Sequence, residues 1–140
     1  MNGRSWARGG AILALSVGML SGCSSSGTAP DPALVATVGD LVSSSRSAEL
    51  GLTLDEDDRI LPGTLATLLS DMAQEMAASI TTLELTVTSD EADESYRAAA
   101  LVSARTALES VTLAQQGDTS TALDQLHVQA TELAKLEDAG

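Results

Sequence analysis

Phenylalanine is absent from this 140-residue chain, and one tryptophan and one tyrosine are its only other aromatics. Proteins that bind single-stranded nucleic acid stack bases on aromatic side chains, and that footing is missing here. Cations are scarce as well: 7 Lys and Arg stand against 20 Asp and Glu, a formal net charge of −13. A phosphate backbone is bound by Lys and Arg that displace its counterions, so the composition excludes nucleic acid as a partner. The single cysteine excludes an internal disulfide framework and a multi-thiolate metal site. The sequence contains no Gly-x-Ser-x-Gly, no HExxH, no P-loop and no Rossmann glycine pattern, and its one cysteine forms no catalytic pair with its one histidine. The expectation is a protein that is not an enzyme and carries no cofactor.

What the chain does contain starts at its N-terminus, MNGRSWARGG AILALSVGML SGC. Arg4 and Arg8 make a positive beginning, and an uncharged apolar run follows from Ala11 to Leu20. Small residues Ser21 and Gly22 close the segment. This is the three-part layout of a secretory signal peptide. The run is too short for a bilayer span, which takes roughly 20 residues. Arg4 and Arg8 are not adjacent, so the general export route is expected rather than the twin-arginine one.

The segment Leu20-Ser21-Gly22-Cys23 resembles the lipobox of bacterial lipoproteins, and Cys23 is the only cysteine in the chain. The resemblance implies cleavage before Cys23, a diacylglycerol on its thiol and an acylated new N-terminus. Each buried methylene contributes about 0.8 kcal/mol, so two or more acyl chains hold a protein stably on a membrane. It also implies an extracytoplasmic location on the cell membrane or, with Ser24 following the cysteine, on the outer membrane. The domain plan is then a signal peptide over 1–22, a lipidated cysteine and linker over 23–30, and a helical domain over 31–140. Without Arg4 and Arg8 the balance is 20 acids against 5 bases, or −15. The linker sequence SSSGTAP is small and polar and reads as a flexible tether with a span of roughly 15 Å.

The remainder reads as four helices. Asp31-Pro32 is a start signal, an N-cap acceptor followed by proline at the first helical position. Leu34, Val38, Leu41 and Val42 then repeat at helical spacing, and Gly51 is expected to end this helix. The second runs from Thr64 to Val87 on Leu65, Leu68, Leu69, Met72, Met76, Ile80 and Leu83. Thr81, Thr82 and Thr86 weaken its end, since β-branched side chains lose rotamer freedom in a helix. A third should begin near Thr88, whose spacing to Glu91 fits a capping box, and carry the stripe Tyr96, Ala100, Ala104, Leu108 and Val111. Gly117 is its expected stop. Asp118 is expected to cap a fourth helix built on Leu123, Leu126, Ala130 and Leu133. The turn Gln116-Gly117-Asp118, with Ala122 and Leu126 after it, resembles that of a tetratricopeptide unit. Glu109 and Ser110 depart from that pattern and no second copy follows, so the likeness implies only a helical hairpin. Short turns make neighbours antiparallel, and the expected fold is an all-α, up-and-down four-helix bundle.

Three groups are candidate sites. Asp55-Glu56-Asp57-Asp58 is the densest acidic run, but its acids are consecutive, whereas an EF-hand loop alternates them with a glycine and a closing glutamate. Solvated acids are the expected reading. His127 falls at the margin of the fourth helix's stripe and is expected to pack there with one wet nitrogen. Met72 and Met76, one turn apart, are expected in the core rather than as thioether ligands for Cu(I) alongside His127. Val128 and Leu136 lie off the main stripe and are expected to be exposed. The function these features point to is a lipid-anchored, non-catalytic interaction module with a cationic protein partner. A cation or small-ligand binding lipoprotein and a purely structural envelope lipoprotein are the alternatives.

Overall fold

A computed structural model describes residues 29–140, so the readings made above for residues 1–28, Cys23 among them, lie outside the described residues. Four helices follow one another: α1 (Pro32–Glu56), α2 (Pro62–Leu85), α3 (Glu91–Gln115) and α4 (Thr119–Ala139). Each packs on its neighbour in sequence and α4 returns to α1, which closes an all-α, up-and-down four-helix bundle. α1 and α3 also approach closely across the diagonal, whereas no Cα of α2 comes within 8 Å of one in α4. Residue size accounts for this skew. The buried faces of α1 and α3 carry Ser45 and Ala48, and Ala100, Ala104 and Ala107, respectively. Leucine, isoleucine and methionine dominate the inner face of α2. Small side chains let two axes approach, and large ones hold them apart.

Three helix starts follow the same chemistry. Asp31 accepts the N–H of Ala33 at 2.7 Å, Asp90 that of Asp93 at 2.8 Å, and Asp118 that of Thr121 at 3.4 Å. Each satisfies a backbone donor that the first turn leaves free. The Asp90 cap of α3 corrects the expected Thr88–Glu91 box. Aspartate outranks threonine at this position, and the Thr88 hydroxyl instead donates to Glu94 at 2.8 Å. α2 is the exception: its N-cap is Leu61, with no side-chain acceptor, followed by Pro62 at the first helical position.

Gly51 does not end α1, which continues to Glu56. Gly51 is buried inside the helix, and a Cβ there would lie 2.5 Å from Leu68 Cδ2 and 3.4 Å from Leu65 Cδ1. The glycine admits α2 at close range instead of breaking the helix. α1 stops one turn later. The N–H of Asp58 donates to the Asp55 carbonyl at 3.0 Å and that of Arg59 to the Leu54 carbonyl at 2.7 Å. This is a Schellman turn, with Asp58 in the left-handed position at φ 54°. α3 ends in the same way. Gly117 at φ 99° donates to Ala114 at 3.0 Å, and Asp118 donates to Leu113 at 3.2 Å.

α2 ends at Leu85, two residues before Val87. Thr81 and Thr82 are helical, with their hydroxyls donating back to the Ala77 and Ala78 carbonyls at 2.9 and 3.0 Å, whereas Thr86 is the extended C-cap. The core is continuous from end to end. Leu34, Val38, Leu41, Leu52, Met76, Leu83, Val111, Leu126 and Leu133 are completely enclosed. No helix of the described residues is long and apolar enough to cross a membrane.

Candidate functional site

Besides Asp40, Ser43, Ser44, Glu75 and Ser79, which line a depression between α1 and α2, charged and polar side chains gather at three places. The first is the seam between α1 and α4. Glu49 projects sideways from α1, where His127 meets it, and His127 Nδ1 lies 2.5 Å from Glu49 Oε1. Arg46, one turn earlier on α1, donates to the other carboxylate oxygen at 2.8 Å. Burial raises the Glu49 pKa, but the hydrogen bonds from His127 and Arg46 and their charges outweigh it, so the carboxyl sits below its ordinary range. A depression lined by Thr53, Leu123, Asp124 and Val128 adjoins the pair. The Thr53 hydroxyl is committed to the Glu49 carbonyl at 3.0 Å, so the helix holds it away from the imidazole. The arrangement is a clasp between two helices. His127 is therefore not the packing residue expected from its place on the helical wheel; its side chain is 64% exposed and held by a carboxylate. Met76 is enclosed in the core and Met72 packs against it, while His127 is exposed and turned to Glu49 on the α1–α4 seam, so the two methionines and His127 are not assembled as ligands.

The second place is the end of the bundle where α1 and α3 begin. Asp93 is nearly buried and accepts the N–H of Asp31 at 2.8 Å, so one helix caps another. Glu94 takes the Arg97 guanidinium and the Thr88 hydroxyl, which hold its carboxyl below the ordinary range. Arg97 also donates to the Leu83 carbonyl at 3.2 Å, near the end of α2. Tyr96 donates its O–H to the Leu136 carbonyl at 3.2 Å, and burial together with the Glu137 charge pushes its phenol up. Leu136 is half-buried against the core, whereas Val128 is exposed as expected.

The third place is the opposite end, where the acidic run lies. Asp55 and Glu56 complete the last turn of α1, Asp57 is its C-cap, and Asp58 takes the left-handed position. A helix end fans consecutive side chains outward in different directions. Among the described residues, no three of His, Asp and Glu converge as metal ligands, at this run or elsewhere. Next to it opens a groove of about 260 Å³ between the end of α1, the start of α2 and the end of α3. Leu65 and Leu69 form its floor, and Asp55, Pro62, Ala114 and Gln115 border it. Leu61, immediately before Pro62, is 74% exposed. Sequence reading missed both the Glu49–His127 clasp and this groove. For the groove one signal was present: an aliphatic residue, rather than a capping one, in front of a helix-starting proline.

The class defined by these observations is an all-α four-helix bundle with an acidic surface. Compared with known protein families, curated proteins and solved structures, the chain gave no significant match.

Proposed function

We propose that this chain is a lipid-anchored, extracytoplasmic helical protein that acts as a non-catalytic interaction module. The observation that carries the reading is Leu20-Ser21-Gly22-Cys23, placed after a basic start and an apolar run. The sequence behind it, SSSGTAP, joins Cys23 to a self-contained helical domain that begins at Asp31. Attachment follows from the energetics of acyl chains, since two or more give stable residence on a bilayer. An interaction role is supported by where the chemistry lies. The Glu49–His127 clasp joins helices, the cluster around Asp93 caps them, and an apolar groove lies open at the acidic end. Surface charge near −15 on the mature chain speeds encounter with cationic partners and repels anionic ones.

Metabolic labelling with a palmitate analogue tests the anchor. The expected result is a labelled, membrane-bound product and a Cys23→Ala variant that is unlabelled and released into the soluble fraction. An unlabelled product, or a Cys23→Ala variant equally bound to membranes, removes the reading. Crosslinking in intact cells followed by mass spectrometry tests the interaction role, and the expected result is a specific crosslinked protein.

A further inference from the structure

We propose that the groove at the α1–α2 turn docks a cationic peptide segment of a partner protein, with one aliphatic side chain of that segment seated over Leu65 and Leu69. The proposal rests on the interaction-module reading and names its surface and the chemistry of its ligand.

Three observations converge on this end of the molecule. The first is shape and polarity: an apolar floor lies between three helix ends, and Leu61, the chain neighbour of the bordering Pro62, is 74% exposed. The second is charge. Asp55, Glu56, Asp57 and Asp58 stand at the end of α1 and Asp118 at the α3–α4 turn, with Arg59 as the one cation of those two turns. An apolar cleft with one carboxylate, Asp55, on its border and an acidic turn following it in sequence matches a segment that alternates basic and aliphatic side chains, and it disfavours an acidic one. The third is the local chemistry of the turn. Asp58 occupies a left-handed position for which glycine is preferred, and Leu61 occupies an N-cap that supplies no acceptor, whereas the other three helices are capped by aspartate. Both choices forgo stability that a single substitution would supply, and both place the charge or the aliphatic group that a basic, apolar ligand would use. Residues that break local rules without a folding benefit concentrate where a protein meets something else.

Topology places this surface away from the anchor. Asp31 lies at the end where α1 and α3 begin, and the groove lies at the other end, one helix length further out. A 25-residue helix spans roughly 37 Å. With Cys23 in the membrane, the groove lies at the end of the domain opposite the point where the tether joins it.

The test uses the full processed protein in detergent and two fluorescein-labelled nonapeptides, one of lysine with a central leucine and one of lysine alone. The leucine-bearing peptide is expected to bind about tenfold more tightly, and binding of both should weaken with salt. Leu61→Ser supplies the missing cap, so it should raise the melting temperature by a few degrees while abolishing the advantage of the leucine peptide. Asp57→Asn with Asp58→Asn should weaken both peptides, and Glu91→Gln at the far end should leave them unchanged. Equal affinity for the two peptides, or a leucine advantage that survives Leu61→Ser, overturns the proposal. A concentration-dependent dimer abolished by Leu61→Ser also overturns it and assigns the groove to a second copy. If crosslinks in cells recover a partner held only by surfaces outside 55–69 and 113–118, this proposal falls and the interaction-module reading stands. If no partner is recovered, both fall.

Discussion

Glu49 and His127 are 78 residues apart in sequence, yet their side chains meet at 2.5 Å and join α1 to α4. The carboxyl of Glu49 is held below its ordinary range, so the folded protein binds this proton less readily than the unfolded chain does. The resulting stability is fully present above the ordinary carboxylate pKa of about 4 and is lost as pH falls through the lower folded value. Glu49→Gln should therefore cost roughly 0.2–1 kcal/mol at pH 7, the range for a partly exposed ion pair. In urea titrations the two proteins should converge as the solution is acidified. A gap that is the same at neutral and strongly acidic pH would show that the charge of Glu49 contributes nothing.

Asp58 carries the left-handed turn that ends α1, whereas Gly117 does the same for α3. A side chain in that conformation costs about 1 kcal/mol relative to glycine. Asp58→Gly should stabilise the bundle by about that amount, visible as an upward shift in thermal midpoint. Gly117→Ala should destabilise it by a similar amount.

The Ser45 hydroxyl is fully enclosed on the inner face of α1 and has no hydrogen-bond partner. An unpaired buried polar group costs roughly 1–3 kcal/mol, and alanine is also the better helix former. Ser45→Ala should raise stability by about 1 kcal/mol in denaturant titrations. Ser110, equally enclosed, donates to the Thr106 carbonyl at 2.8 Å and approaches Gln125 at 3.3 Å, so Ser110→Ala should not show the same gain.

Asp93 holds the first turn of α1 from α3 through the N–H of Asp31. Asp93→Ala leaves that donor without its partner and should cost about 1–2 kcal/mol. Hydrogen exchange should report it as faster exchange confined to the start of α1, with the middle of the helix protected as before.

Much of the fold was readable because its signals are local. Asp31-Pro32 and Gly117-Asp118 state where helices start and stop through the bonds their own side chains and backbone make. The leucine stripe of α2 needs no partner to be recognised as a core face. Gly51 was misread because a glycine that ends a helix and one that admits a neighbouring helix look alike in sequence; only the position of Leu68 separates them. The α3 cap failed by two residues because Thr88 and Asp90 were both acceptable acceptors. The Glu49–His127 clasp was out of reach, since it depends on how α1 and α4 are rotated against each other. The groove had only the uncapped Leu61-Pro62 start as a local signal, because three helix ends build it and no one segment contains them.

Tyr96 is the sole tyrosine, phenylalanine or tryptophan among the described residues, the chain's one tryptophan being Trp6. Its phenol donates to the Leu136 carbonyl, so the near-ultraviolet signal of the described residues comes from a single chromophore that spans two helices. Loosening of the last turns of α4 thus registers directly as a change in tyrosine emission, and the protein carries its own optical gauge of that joint.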